Sequence, residues 1–166
     1  MILLAGLAIC SCAPKVEYRY PAVFAHRGCW FEDYIPENSL DAIRMAAVFG
    51  YPTTECDFRW SADSVLMMMH DPTINRTARL ADGYLPIPEK TRLDSQTCEE
   101  LRTRYVLASE DPEMRSLIPT SEEYLRECLR CGIKPILHCE IYEGYELAIS
   151  ILGDNWIGFS ENYELC

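Results

Sequence analysis

The chain has 166 residues, 49% of them hydrophobic, enough to bury the core of a single domain. Its 26 acidic residues against 15 basic ones give a formal net charge of -11, which excludes nucleic acid as a partner, because phosphate backbones are bound by surplus Lys and Arg. A small anionic substrate is compatible with that charge if a local cation or metal offsets it.

The chain opens on an apolar, uncharged run from Met1 to Ile9, far short of the ~20 residues of a membrane span. It reads as the core of a secretory signal lacking its usual basic front, with an N-terminal core strand as the alternative. Ile9-Cys10-Ser11-Cys12 resembles a bacterial lipobox, followed by the polar Ala13-Pro14-Lys15. The expectation is a leader and linker over residues 1–20 and a domain over 21–166. The protein would be exported, either periplasmic or membrane-anchored as a lipoprotein carrying lipid on Cys12.

From there strand-like and helix-like segments alternate, the pattern of a parallel α/β fold. Ala22 to Ala25 reads as a strand ending at His26-Arg27-Gly28, and Ser39 opens a helix from Leu40 to Phe49 that Gly50 caps. Thr53 to Trp60 is the next strand, and Val65 to His70 another extended run. Residues 71–117 carry Pro72, Gly83, Pro86, Pro88 and Pro112 and read as a long excursion of short elements, with a helix over Thr97–Tyr105. Thr120-Ser121-Glu122-Glu123 signals a helix running to Cys131 and stopping at Gly132. Pro135 to Tyr142 predicts a strand, Glu143 to Leu152 a helix, and Trp156 to Ser160 a last strand; no internal repeat interrupts the series.

Nine cysteines raise the question of disulfides or zinc. Loss of the leader before Cys12 would leave seven others, an odd number, and Cys128-Leu129-Arg130-Cys131 has no second such pair and no nearby His. Tyr124, Leu125, Cys128 and Leu129 recur at helical offsets, so these thiols read as small apolar residues on and beside a buried face.

Strand alternation puts Glu55 and Asp57 on one face and Cys56 on the other. Two adjacent carboxylates repel, and a bound cation is the usual reason to keep both ionised; hard oxygen ligands suit Mg2+ or Ca2+. On the later predicted strand the same rule aligns His138, Glu140 and Tyr142.

The ordered blocks Ala25-His26-Arg27-Gly28, Pro36-Glu37-Asn38-Ser39-Leu40, Glu55-Cys56-Asp57, His70-Asp71-Pro72-Thr73 and Arg76-Thr77 resemble the glycerophosphodiester phosphodiesterase family from about Val23 to Ser160. The resemblance implies an incomplete (β/α)8 TIM barrel, about its first five strands, with a small insertion after the second strand; 166 residues are too few for a complete barrel of ~250. It implies hydrolysis of a glycerophosphodiester, the small-molecule partner, to glycerol 3-phosphate and an alcohol. In it His26 and His70 are the catalytic pair, Arg27 is substrate-binding, and Glu55, Asp57 and Glu140 hold the metal. Imidazoles titrate near the working pH and suit the acid and base roles, which sequence does not divide between them. His138 reads as a hydrogen-bonded layer residue, Ser39 as a helix cap, and Asp71, Thr73 and Arg76 as shaping the loop that carries His70.

Two departures stand out. The family usually has lysine where this chain has Tyr142, and Lys134 lies too early to replace it; the chain also ends after its fifth strand-like run, so open barrel edges would invite self-association. The alternatives are a related phospholipase-type phosphodiesterase and a non-catalytic, truncated lipoprotein or binding fragment.

Overall fold

A computed structural model describes residues 23–138 and 141–159. The expected leader with Cys12, the predicted ligand Glu140, Cys139 and the segment from Ser160 to Cys166 lie outside the described residues. In chain order the main elements are α1 (Leu40–Val48), β1 (Thr53–Trp60), β2 (Leu66–Met68), β3 (Ala78–Leu80), α2 (Cys98–Arg104), β4 (Tyr105–Leu107), α3 (Ser121–Cys131), β5 (Lys134–His138), α4 (Tyr142–Leu152) and β6 (Ile157–Phe159). No helix among the described residues is long and apolar enough to cross a membrane.

Strand β1, rich in the β-branched and aromatic residues that favour extended backbone, is the axis of a four-stranded sheet ordered β2-β1-β5-β6. On one edge it pairs in parallel with β5, from Thr53 opposite Lys134 to Asp57 opposite His138, and β6 continues the parallel run. Its other edge is shared. Ala25 makes a parallel bridge to Thr54 at the start, and β2 runs antiparallel along Phe58–Trp60 at the end. The segment expected as a strand at Ala22–Ala25 is reduced to that single bridge among the described residues, because Arg27 (φ 56°) and Gly28 (φ 83°) turn the chain away at once. The β2 direction also departs from an all-parallel sheet. A tight reversal, Ser61 N–H to Val65 C=O at 2.9 Å with Ser64 at φ 60°, leaves only a hairpin return possible, since a parallel strand would need a crossover of a dozen or more residues.

The helices cover the outer face of β1 and β5. Ser39 caps α1, its hydroxyl accepting from the Ala42 N–H at 3.0 Å, so Ala42, Ile43 and Ala46 face inward. Thr120 and Glu123 form a reciprocal capping box at the start of α3, and Gly132 ends it at φ 67°, a left-handed position that glycine fills without Cβ strain. Tyr124, Leu125 and Cys128 from α3 pack with Cys56, Phe58, Leu137, Ile43, Ala148 and Leu152 in the main core. Cys128 is fully buried, and that burial pushes its thiol far above the ordinary range, which makes it an inert packing residue.

The strand expected over Pro135–Tyr142 is described as far as His138, and Tyr142, expected on that strand, instead starts α4. Gly144, Ala148 and Leu152 recur every four residues and are the positions α4 buries, so helical periodicity takes over before the strand alternation could reach Tyr142. Tyr142 therefore stands 70% exposed in the first turn of a helix, off the face that carries His138.

Residues 71–117 hold only short elements and gather a core of their own. Ile74, Ala78, Leu93, Leu101, Tyr105, Leu107 and Ile118 pack with Met67 and Met69, while Leu66 and Met68 of the same short strand face the main core. Thr97 and Glu100 form a second capping box and set α2 one residue inside the expected Thr97–Tyr105 span.

Glu127 of α3 accepts from Arg44 of α1 at 2.6 Å and from Arg130 at 2.8 Å, tying two helices together. The Arg130 hydrogen bond, then that of Arg44, holds its carboxyl down at about 2. A depressed folded-state pKa contributes stability above the unfolded value of about 4.5 and loses it as pH falls towards about 2. Glu127→Gln is expected to cost about 1 kcal/mol at pH 7, with the gap to wild type closing between about pH 5 and pH 2, as read from thermal or urea unfolding across that range.

Candidate active site

The divided edge of β1 assembles the site. Bridging at Ala25 brings His26 and Arg27 beside the start of the strand, and the bond from Met69 N–H to Asp57 C=O at 3.2 Å sets His70 beside its end. On the opposite edge the β5 register puts His138 level with Asp57 and on the same face. Glu55 and Asp57 point into the space between these three histidine-bearing segments, each 6% exposed.

Each carboxylate has a defined set of partners. One Glu55 oxygen, Oε2, accepts the Arg27 backbone N–H at 3.0 Å and lies 3.8 Å from His26 Nε2. The other, Oε1, is buried without a hydrogen bond, 3.6 Å from His138 Nδ1. Asp57 Oδ2 accepts from the Asn38 amide at 2.9 Å, while the Asp57 N–H donates to Asn38 Oδ1 at 3.3 Å. Its Oδ1 is 3.3 Å from His138 Nδ1. Burial and the neighbouring Asp57 charge push the Glu55 carboxyl up to about 7, against the pull of the Arg27 N–H.

A relay of ion pairs leads from the carboxylates to the second imidazole. Arg27 reaches Glu37 at 3.3 Å, Glu37 takes both terminal nitrogens of Arg76 at 2.7 and 3.0 Å, Arg76 Nε reaches Asp71 at 2.7 Å, and Asp71 Oδ1 meets His70 Nδ1 at 2.7 Å. Hydrogen bonds from Arg76 and His70 hold the Asp71 carboxyl down at about 2, so it stays ionised and fixes Nδ1 as the protonated nitrogen of neutral His70. The His70 Nε2 is left for other work. His26 is the more open of the two, its side chain 60% exposed, and burial of the remainder with the Arg27 charge lowers its pKa.

The structure thus brings together five of the six residues singled out from sequence: His26, Arg27, Glu55, Asp57 and His70. Glu140 lies outside the described residues. His138, read from sequence as a layer residue, offers a ligand atom within 4.8 Å of those of Glu55 and Asp57. The signal for it lies in the pairing of Asp57 with His138, which no period within one strand reveals. The Asn38–Asp57 pair was also hidden. Asn38 neighbours the capping Ser39, and only its left-handed φ of 54° turns its amide inward instead.

Orphaned Glu55 Oε1 is a buried acceptor with no donor, in contact range of Asp57 and His138, and an uncompensated buried acceptor costs free energy. A divalent cation would satisfy that oxygen and return Glu55 to its ionised form, so the donor set fits one.

The glycerophosphoryl diester phosphodiesterase family model matches residues 26–148, and the chain belongs to that family. Among curated proteins it resembles mouse glycerophosphodiester phosphodiesterase 1, at 38% identity over 114 residues covering 66% of this chain and 30% of the relative. Its fold matches a glycerophosphodiester phosphodiesterase from Agrobacterium tumefaciens with a TM-score of 0.66 at 24% identity, over 86% of this chain and 57% of the other. It also matches an Oleispira antarctica phosphodiesterase solved in complex with the product sn-glycerol-3-phosphate, with a TM-score of 0.64 at 24% identity, over 86% of this chain and 58% of the other. The parallel strands β1, β5 and β6 form an arc of the (β/α) barrel of these proteins, and the chain spans about a third of the length of the curated relatives it matches.

Gly28 holds this geometry. A Cβ there would meet the Ala42 Cβ at 2.5 Å, and the backbone has φ 83°. Gly28→Ala is expected to destabilise by about 2 kcal/mol or more through strain and overlap. A compensating Ala42→Gly would relieve the overlap alone, so a double variant recovering part of the loss in urea denaturation is the expected result.

Proposed function

We propose that this chain carries the catalytic half of a glycerophosphodiester phosphodiesterase, hydrolysing a small diester to glycerol 3-phosphate and an alcohol. The observation that carries the reading is the buried Glu55–Asp57 pair held between His26 on one side and His70 on the other, with Arg27 bridging to both carboxylates. Family membership and the product named for the Oleispira structure support the same chemistry.

Hydrolysis adds the oxygen of water to phosphorus, breaks the bond to the alcohol and moves one proton off the nucleophile and one onto the departing oxygen. His26 and His70 divide these transfers. Asp71 keeps His70 in one tautomer with Nε2 directed away from the ion-pair relay, and Arg27, fixed by Glu37 and Asp57, presents positive charge where phosphoryl oxygens gain negative charge. Glu55 and Asp57, with Glu140 from the segment after β5, would hold a divalent cation of the Mg2+ or Ca2+ class, and His138 stands near enough to join them. Such an ion supplies Lewis-acid polarisation of a phosphoryl oxygen.

The test is release of glycerol 3-phosphate from glycerophosphocholine, glycerophosphoethanolamine and glycerophosphoinositol, with lysolipids assayed alongside to separate a phospholipase-type specificity. His70→Ala is expected to lower kcat by about 10²- to 10⁴-fold with an unchanged circular dichroism spectrum; undiminished turnover would remove His70 from the reaction. Chelation with EDTA is expected to abolish turnover and addition of Mg2+ or Ca2+ to restore it, whereas full activity after exhaustive chelation would contradict the metal assignment. Metal binding by calorimetry without any turnover would favour a binding fragment over an enzyme.

A further inference from the structure

Next to the carboxylate pair lies a cleft of about 370 Å³ whose lining includes Asp57, Arg59, His70, Arg92, Asp94 and His138. Strand alternation puts Arg59 on the same face of β1 as Glu55 and Asp57, one step further towards the strand end. Its Nε–H donates to the His70 carbonyl at 2.7 Å, which aligns the root of the guanidinium with the segment that carries His70.

The charges around this cleft are unequally engaged. Arg27 is drawn to Glu37 and Asp57, Arg76 to Glu37 and Asp71, and Arg92 to both oxygens of Asp94. No described carboxylate forms an ion pair with Arg59, and neither of its terminal nitrogens has a hydrogen bond among the described residues. A partly buried guanidinium whose forward edge is open, beside an acidic pair and two imidazoles, is built to receive an anion.

We propose that Arg59 is a phosphate-binding residue of this site, its two terminal nitrogens gripping a non-bridging pair of oxygens of the phosphodiester and of the product phosphate. This rests on the phosphodiesterase reading for its reaction but on the cleft geometry for its ligand. Arg27 lies with its Nε 3.6 Å from Asp57 and its Nη1 at Glu37, so part of its charge balances the acidic pair; Arg59, which feels the Asp94 charge but forms no ion pair among the described residues, adds a second guanidinium for the phosphate beside Arg27. The bond to His70 adds a consequence: the oxygens held by Arg59 are placed relative to the imidazole through a single main-chain contact. Because the contact is to phosphate, its loss weakens every diester alike, whatever the alcohol.

The experiment measures binding of glycerol 3-phosphate by calorimetry to the wild-type chain and to Arg59→Gln and Arg59→Lys, together with kcat and KM for glycerophosphocholine and glycerophosphoinositol. Arg59→Gln is expected to weaken glycerol 3-phosphate binding by about 10- to 100-fold, the range of a charge-assisted hydrogen bond. It is also expected to lower kcat/KM for both diesters by the same factor, with unchanged thermal stability. Arg59→Lys, which keeps the charge but cannot reproduce the fork, is expected to recover part of the loss, and added guanidinium ion to rescue Arg59→Gln further. Wild-type affinity in Arg59→Gln overturns the proposal, as does a loss confined to one head group, or a fall in kcat with binding intact, which would make Arg59 only a support for His70. Glycerol 3-phosphate bound by the wild type without turnover would defeat the hydrolase reading and leave Arg59 to be judged on affinity alone. No binding by the wild type overturns both.

Discussion

Two carboxylates lie side by side on one buried strand face, and much of the surrounding structure answers the problem they pose. Asn38 donates to one, the Arg27 backbone to the other, and three imidazoles approach from both edges of the strand. Even so, Glu55 retains an acceptor without a donor and a carboxyl lifted to about 7. A protein that needed only a stable sheet would place apolar side chains at these positions, since unmatched buried charge is costly. The retained charge is the mark of a site.

The arginines are organised by the same constraint. Arg27 and Arg76 share Glu37, itself 5% exposed; the Arg27 pairs are largely withdrawn from water, where hydrogen-bonded charges are held most firmly and mispaired ones cost most, while Arg76 stays half exposed. Around the site the charges come close to balance, with Arg27, Arg59, Arg76 and Arg92 set against Glu37, Glu55, Asp57, Asp71 and Asp94. Most of the net charge of -11 is therefore carried away from the site.

Local signals in the sequence translated well into structure. Ser39 before α1, the Thr120–Glu123 pair before α3 and Gly132 after it are short-range hydrogen bonds or backbone needs that the sequence states directly. Period two put Glu55 and Asp57 on one face, as found, and the ordered blocks brought His26, Arg27 and His70 to them. Features set by pairing between segments were hidden. His138 joins the carboxylates through the β1–β5 register, β2 turns back because of a tight reversal at Ser61–Val65, and Asn38 serves Asp57 because its own backbone is left-handed. Extending the β5 alternation to Tyr142 failed for a related reason: strand and helix periodicities compete there, and the burial of α4 in the main core beside α3 decides the matter.

Strand β2 is three residues long, yet Leu66 and Met68 are anchored in one core and Met67 with Met69 in the other. It acts as a rivet through two plates. Neither plate can slide without dragging the rivet, and the imidazole of the next residue, His70, travels with it. The excursion after β2 is thus no ornament on the barrel arc: its packing sets where the His70 imidazole sits, and under the proposed hydrolysis remodelling of that excursion would retune the chemistry from a distance.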